Sequence, residues 1–272
     1  NVKKLNFLKA LPDSSKNLSF DALEGAVTIY RDDYGIPHIR ASSVHDAFFG
    51  QGFATAQDRL WQMDYDRKTA YGQCAEYLGR IALDQDIQMR RFQIGLSAQR
   101  DYAHLNGQPK VMLDAYSAGV NAFITSTDVL PVEYALLQMR PENWNPWDCL
   151  AVFKVRHILM GVFESKLWRS QLVNILGAEV AAKLVQGYQN DHLLIVLPGA
   201  RYKGSVLDGF SELNEGLKHL KWMRDSEQGS NSWVINGERT LSGKPLMAGD
   251  PHRGLDVPNV YYQNHVQCPD FD

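Results

Sequence analysis

Apolar residues recur at alternating spacings of four and three in the first half of the chain, a pattern typical of helices with one buried face. The clearest series is Phe49, Phe53, Ala56, Leu60 and Met63. Ser43, followed by Asp46 three residues later, is a capping box and predicts that this helix begins there. Weaker series of the same kind follow, so we predict that residues from about 43 to 197 are mainly helical.

Proline and glycine residues predict where several of these helices begin and end. Pro109 is typical of the first turn of a helix, and Asn145 before Pro146 predicts a cap followed by the first helical residue. The helix after Pro146 is expected to continue to Gly177, and a shorter one to stop at Gly79, because glycine favours the position after a helix end.

Extended segments lie at the two ends of the sequence. Val27–Tyr30 and Ile36–Ile39 predict two short strands, because Asp32–Gly35 between them has the composition of a turn. Three later strands are predicted at Trp233–Asn236, Pro245–Ala248 and Val257–Val266. Helices first and strands afterwards predict an α+β fold rather than alternating α/β units.

The region from about residue 198 to residue 228 lacks a clear apolar period. Glycines punctuate it at Gly199, Gly204, Gly209 and Gly216, and many of the residues between them are polar. Glycine-rich polar segments are typical of linkers. We therefore predict a linker or a removable spacer here.

Composition narrows the function classes. The chain has 272 residues, 44% of them hydrophobic, and a net charge of −3, so it can bury a large core and shows no basic excess for nucleic acid or an anionic membrane. No apolar run is long enough to cross a bilayer. Cys74, Cys149 and Cys268 lack the spacing of a zinc site or a disulfide framework, so we expect free buried thiols.

Two separated blocks of sequence carry a resemblance to a known family. The first block contains Arg31, Asp32, Gly35–Ile39, Asp46, Ala47, Gly52, Phe53, Ala56–Leu60, Gln62, Met63, Gly72, Glu76, Leu78 and Gly79. The second contains Gly229–Asn231, Trp233, Asp250–His252 and Gly254. In this order and separation they resemble the penicillin acylase family of N-terminal nucleophile (Ntn) hydrolases, near its acyl-homoserine lactone and cephalosporin acylase branch.

The resemblance implies a fold and a domain organisation. Family members form a four-layer αββα sandwich, in which residues 1–197 would be the mainly helical α-subunit region. Residues 198–229 would be the spacer, and residues 230–272 the start of the β-subunit. The partner would be the remainder of the β-subunit of the same precursor, which gives a heterodimer after processing. A periplasmic or secreted location is also implied.

The resemblance places the chemistry at Ser230. Family precursors cleave themselves before such a serine, so the scissile bond here would join Gly229 and Ser230. Glycine tolerates the strained backbone that this attack requires, and serine supplies the hydroxyl. The freed α-amine has an ordinary pKa near ~8, which suits a base at neutral pH better than the ~10.4 of a lysine. One residue would then be both nucleophile and base.

His252 and Arg253 occupy positions that lie close to the nucleophile in relatives. His252 would hold the serine backbone and a bridging water by hydrogen bonds, although Asp-Pro-His is also an ordinary polar turn. Arg253 departs from the family pattern, in which this site is usually apolar and faces the acyl group. It would pair with an anionic or polar acyl chain, or else turn to solvent.

Met160, Phe163 and Glu164 fall where the resemblance implies further sites. Met160 and Phe163 would line the acyl pocket, although a methionine and an aromatic residue at helical spacing are also ordinary core. Glu164 aligns with a glutamate that binds calcium, a cation that takes six or more oxygen ligands. It could instead pair with Lys166 on the helix surface. No organic cofactor is expected.

These observations predict an amidohydrolase that removes the acyl group from a small N-acylated amine. Substrate classes in such families are β-lactam antibiotics, N-acyl homoserine lactones and acylated peptides. The alternative is an unprocessed or inactive family member that binds acylated amines without hydrolysing them. The presence of Gly229, Ser230 and His252 together counts against that alternative.

Overall fold

A computed structural model describes residues 11, 13–160, 163–184, 206–220, 229–252 and 257–272. The helices are α1 Val44–Tyr71, α2 Ala75–Leu78, α3 Leu83–Phe92, α4 Ile94–His104, α5 Gly107–Ser126, α6 Val132–Leu137, α7 Pro146–Met160, α8 Phe163–Leu176, α9 Ala178–Leu184 and α10 Val206–Leu217. The strands are β1 Thr28–Arg31, β2 Pro37–Arg40, β3 Gly229–Ile235, β4 Leu246–His252 and β5 His265–Gln267. The predicted α+β class is confirmed.

Helix α1 is 28 residues long and begins where the sequence predicts. The Ser43 hydroxyl accepts a hydrogen bond from the Asp46 amide at 3.1 Å, which caps the first turn. The carboxylate of Asp46 turns to the N-terminal arm, where it accepts from the amides of Glu24 at 3.0 Å and Gly25 at 2.8 Å. Asp46 therefore takes part in both contacts, with its backbone amide at the helix start and its carboxylate on the chain that precedes it.

Two glycines bring α1 and α5 into backbone contact. A Cβ atom at Gly52 would lie 2.0 Å from the carbonyl oxygen of Tyr116, and one at Gly119 would lie 2.0 Å from that of Phe49. Any larger residue would push the helices apart. The predicted apolar face of α1 packs at this crossing, in a cluster whose buried members are Ala56, Leu60, Val120, Phe123, Tyr134 and Trp144.

A buried arginine joins α1 to α6 and α7. Arg67 donates to Asp64 at 2.6 Å and to Asp148 on α7 at 3.2 Å, and all three side chains are buried. Tyr71 donates to Asp148 at 2.5 Å, and Tyr134 on α6 donates to Asp64 at 3.0 Å. Burial acts to lower the pKa of Arg67, but the two carboxylates outweigh it and raise that pKa. The ion triad is thus paired on every side, as burial of charge requires.

The first sheet has the order β1-β2-β5. Strands β1 and β2 form the predicted antiparallel hairpin, and Gly35 in its turn has a φ of 77° that favours glycine. Strand β5 runs parallel to β2, with His265 opposite His38. The strand predicted at Val257–Val266 was wrong over most of its length, because carbonyls before β5 accept hydrogen bonds from the side chain of Arg59 instead.

The second sheet is the antiparallel pair β3 and β4, in register from Gly229 opposite His252 to Ile235 opposite Leu246. Both strands are exposed along their whole length. Each extends the strand predicted for that region by several residues. Trp233 is 53% exposed, so in the described part of the chain the apolar side chains of this hairpin remain largely uncovered.

Helix α10 lies inside the segment predicted to be a linker or removable spacer, where the sequence shows no clear helical period. Leu217 and Leu220, 6% and 0% exposed, belong to the core cluster that contains Met89 of α3. A Cβ atom at Gly216 would lie 2.0 Å from Oε1 of Gln88, so this glycine permits close packing. Residues 198–205 and 221–228 of the predicted spacer lie outside the described residues.

The helix predicted from Pro146 to Gly177 corresponds to α7 and α8, and residues 161–162 between them lie outside the described residues. Within the described helices, none is both long enough and apolar enough to cross a membrane.

The close contact of α1 and α5 at Gly52 and Gly119 can be tested with an internal control. Gly119→Ala should lower the free energy of unfolding by about 2 kcal/mol or more, because the added methyl group meets a backbone carbonyl. Gly209→Ala lies in α10 with nothing within 4 Å of the new atom, and should leave stability unchanged or raise it by up to about 1 kcal/mol. Chemical denaturation of the full-length protein measures both. Equal effects of the two variants would contradict the close α1–α5 contact.

Candidate active site

Ser230 is the second residue of β3, with Pro251 opposite it on β4. Its hydroxyl donates to the carbonyl oxygen of Gly229 at 2.6 Å. The hydroxyl oxygen therefore lies against the carbonyl group of the Gly229–Ser230 peptide bond, which the family resemblance predicts to be scissile. Both residues are exposed, so water reaches this peptide bond.

His252 lies beside the same peptide bond. It is the register partner of Gly229, and a Cβ atom at Gly229 would lie 3.7 Å from the ring Nδ1. The structure thus brings together three residues that the sequence singles out, Gly229, Ser230 and His252. The antiparallel register achieves this, because it places the first residue of β3 opposite the last residue of β4.

Asp250 holds the His252 ring. Its Oδ2 lies 2.8 Å from Nε2, and the Asn231 amide nitrogen lies 3.3 Å from the same Nε2. A carboxylate only accepts, so the shorter contact with Asp250 places a proton on Nε2 and leaves Nδ1 facing Gly229 as an acceptor in the neutral ring. The Asn231 nitrogen is also a donor, so in this tautomer it makes no hydrogen bond to Nε2. The hydrogen bond from His252 lowers the pKa of Asp250. Sequence reasoning did not assign Asp250 this role, although the residue belongs to the Asp-Pro-His block.

The remaining predicted site residues lie at the edge of the described chain. Met160 ends α7, and Phe163 and Glu164 begin α8, but their side chains are outside the described residues. Arg253 lies outside them altogether. The acyl-pocket and calcium assignments therefore stay predictions.

One cluster in the described chain has metal-ligand spacing, formed by Glu24, His45 and Asp46. It is remote in sequence from Glu164. Asp46 is already occupied by two backbone amides and by the His45 ring at 3.0 Å. Calcium takes six or more oxygen ligands, so this cluster does not fit that ion.

A cavity of about 430 Å³ lies between α1, α5, α7 and the chain near residue 260. Its apolar lining residues are Phe48, Met63, Met112, Leu113, Tyr116, Trp144, Cys149, Val152 and Val260. Gln51, Thr55, Arg59, Gln62, Asp66, Arg156 and Tyr262 add polar groups. None of these residues belongs to β3 or β4, but Val260 and Tyr262 belong to the segment that follows β4. The cavity is of the size and character that receive small molecules.

The penicillin amidase family matches residues 26–272. This chain belongs to that family. It is 40% identical over 269 residues to the penicillin acylase 2 proenzyme of Pseudomonas sp. strain SE83, a match that covers 97% of this chain and 35% of the relative. It is 30% identical over 273 residues to the acyl-homoserine lactone acylase QuiP of Pseudomonas aeruginosa, covering 97% of this chain and 32% of that protein.

Among solved structures, a thermostable penicillin G acylase from Alcaligenes faecalis matches with a TM-score of 0.51 and 27% identity. The match covers 64% of this chain and 98% of the matched chain. The predicted family and the Ntn-hydrolase fold are thereby confirmed. The chain spans about a third of the length of the curated relatives, so the activity of the whole protein is treated below as a proposal.

The thiol of Cys149, in the wall of the cavity, is predicted to be unreactive. Burial raises the pKa of Cys149 to about 12, and Trp144 donates to its sulfur at 3.3 Å. The reactive form of cysteine is the thiolate, so Cys149 in the folded protein should resist a disulfide reagent at pH 8 and react after denaturation. Mass mapping of the labelled peptides measures this. Fast labelling of Cys149 in the native protein would contradict the raised pKa of this half-buried thiol.

Proposed function

We propose that this penicillin amidase family member is an amidohydrolase with Ser230 as its N-terminal nucleophile. The observation that carries the proposal is the Ser230 hydroxyl, 2.6 Å from the carbonyl oxygen of Gly229, with the His252 ring beside the same bond. A serine so placed can attack the preceding carbonyl carbon. Membership of the family favours this reaction over the alternative that Gly229 and Ser230 have only a structural role in a turn.

Maturation proceeds in two steps. A bond forms between the Ser230 Oγ and the carbonyl carbon of Gly229, the peptide C–N bond breaks, and the hydroxyl proton passes to the departing amine. Water then hydrolyses the resulting ester, which releases the Gly229 carboxylate and restores the hydroxyl. The α-amine of Ser230, with an ordinary pKa near ~8, is now free to accept the hydroxyl proton when an acyl amide binds.

Hydrolysis of the substrate repeats these bond changes on an external amide. The Ser230 hydroxyl attacks the acyl carbonyl, the α-amine takes the hydroxyl proton and passes it to the leaving amine, and water hydrolyses the acyl-enzyme. His252, held by Asp250, orients the serine and the water through Nδ1. Asp250, like an ordinary aspartate, is ionised over the neutral range, and the hydrogen bond from His252 lowers its pKa further.

The substrate in this proposal is a small N-acylated amine. Penicillin acylase and acyl-homoserine lactone acylase are the activities in the names of the relatives. Met160, Phe163 and Arg253 are proposed to contact the acyl group, and an arginine at this position favours an anionic or carbonyl-bearing acyl chain. Glu164 is proposed as one ligand of a structural calcium ion.

The partner in this proposal is the remainder of the β-subunit of the same precursor, and the heterodimer is periplasmic or secreted. Within the described residues, strands β3 and β4 offer unpaired edges, and they carry large exposed apolar side chains such as Val234 and Met247, 71% and 80% exposed. Exposed strand edges bind further strands. Additional strands of the same protein would cover both the strand edges and the exposed apolar side chains.

The proposal predicts how the precursor responds to changes at Ser230. Ser230→Ala should leave the full-length chain uncleaved, because the attacking hydroxyl is lost. Ser230→Cys should still be processed, because a thiolate is a strong nucleophile. Intact mass and N-terminal sequencing measure both. A new terminus at any residue other than Ser230 would sink the proposal, and an uncleaved wild-type chain would favour the non-hydrolysing alternative.

A second prediction concerns Asp250. Asp250→Ala frees the His252 ring to change tautomer, and cleavage of the Gly229–Ser230 bond should slow about tenfold or more. The control is Asp272→Ala, which removes the carboxylate 2.6 Å from a different histidine, His265.

The contact between Asp250 and His252 depends on pH in a definite direction. The pKa of Asp250 is lowered, so the contact with His252 is kept above the ordinary aspartate pKa of ~3.9 and is lost only as the pH falls through the lowered value. Nitrogen NMR of the labelled histidines measures this. An unchanged His252 tautomer and an unchanged cleavage rate in Asp250→Ala would show that the carboxylate does not hold the ring.

A further inference from the structure

Three segments that are distant in sequence meet at Asp58 on α1. Its Oδ2 accepts from Nη1 of Arg31 on β1 at 2.8 Å and from the hydroxyl of Tyr262 at 2.7 Å. Arg31 also donates to the Gly35 carbonyl at 3.0 Å and to the Gln57 side chain at 2.7 Å. The carboxylate therefore receives a cation from the first hairpin and a phenol from the chain that follows β4.

The neighbouring Arg59 binds the same downstream segment through its backbone. It donates to the Asn259 carbonyl at 2.7 Å, and its guanidinium lies 5.5 Å from the centre of the Tyr262 ring. Tyr262 donates a longer bond, 3.2 Å, to the Ala54 carbonyl. Consecutive residues of α1 thus fix residues 259–262 by a side-chain hydrogen bond, a bond to a backbone carbonyl and a ring contact.

Strands β3 and β4, which carry Ser230, are here called the nucleophile hairpin. The segment that α1 holds, residues 259–262, belongs to its downstream flank, and residues 253–256 between the two lie outside the described residues. The hairpin itself is exposed over both strands. On its other side, Leu220 is completely buried in the core cluster with Met89. The helical region therefore holds the described chain on each side of the hairpin, up to Leu220 and from residue 259, and residues 221–228 and 253–256 between them lie outside the described residues.

We propose that Asp58 is a positioning residue for self-cleavage, because it fastens the downstream flank of the nucleophile hairpin to α1, and that Arg31 holds the Asp58 carboxylate in place for this contact. Attack on a peptide bond needs the hydroxyl and carbonyl held in one geometry, and a flank that swings freely loosens that geometry. Neither residue touches the reacting atoms. This inference rests on the proposed cleavage before Ser230.

The contacts that remain set the size of the effect. Asp58→Ala removes two hydrogen bonds at once, but Arg59 and the pairing of β5 with β2 still hold the downstream chain. Cleavage should therefore slow about tenfold rather than stop, as expected for loss of a charge-assisted contact. Tyr262→Phe removes only the hydroxyl and should slow cleavage in the same direction by a smaller factor.

Asp114→Ala is a matched control. Asp114 lies within α5, as Asp58 lies within α1, and it accepts from the hydroxyl of Tyr102 at 2.5 Å. Both variants replace a helical aspartate that binds a tyrosine, so their effects on helix propensity are equal. Among the residues that the structure describes, Asp114 has no hydrogen bond or ion pair to the downstream flank, and its replacement should leave cleavage at the wild-type rate.

The experiment follows cleavage of the full-length precursor at Gly229–Ser230 by intact mass over time. The double variant Asp58→Ala with Tyr262→Phe should slow cleavage by less than the product of the two single effects, because the two side chains share one hydrogen bond. Asp58→Glu keeps the carboxylate and should recover most of the lost rate, whereas a residue important only for folding would show no such recovery.

Two results would overturn the inference. One is an Asp58→Ala precursor that cleaves as fast as Asp114→Ala. The other is multiplicative slowing in the double variant, which would mean that Asp58 and Tyr262 act separately. Failure of the wild-type precursor to cleave before Ser230 is a different result, because it removes the proposed function itself.

Discussion

The rest of the described structure depends on the contact between α1 and α5. Gly52 and Gly119 let two helix backbones touch, and neither position leaves room for a Cβ atom. This contact sets the separation between the helices, and with it the room for the aromatic cluster around Trp144. Helix α1 then serves as the common support. The first sheet, helices α6 and α7, and the segment after β4 all bind to it.

Charged groups fix these elements in position along α1. Near its C-terminal end the buried Arg67 lies between carboxylates from α1 and α7, and each charge is costly unless the others are in place. Closer to its N-terminal end, Asp58 joins the first hairpin to the chain that follows β4. Apolar packing tolerates small shifts, whereas a paired buried charge does not. The polar contacts therefore supply the registration, and the apolar clusters supply most of the burial.

Local patterns in the sequence determined much of the helical region and part of the candidate site. Apolar spacing predicted the buried face of α1, and the Ser43 cap predicted its start. The turn at Gly35 predicted the first hairpin. Gly229, Ser230 and His252 were identified from short motifs, and the hairpin register brings them together. These features are readable because each depends on residues near one another in sequence, or on a motif that carries its own chemistry.

Tertiary structure alone decided the remaining features. The parallel pairing of β5 with β2 and the bond from Tyr262 to Asp58 join residues more than 200 positions apart, and no local period records such partners. Helix α10 was missed because glycine in a polar segment predicts a linker. In the structure, Gly216 instead allows the end of the helix to pack closely against Gln88. Asp250 lay in a recognised motif, but only the fold of β4 shows that its carboxylate faces the His252 ring. Side-chain partners are chosen in space, after the local elements have formed.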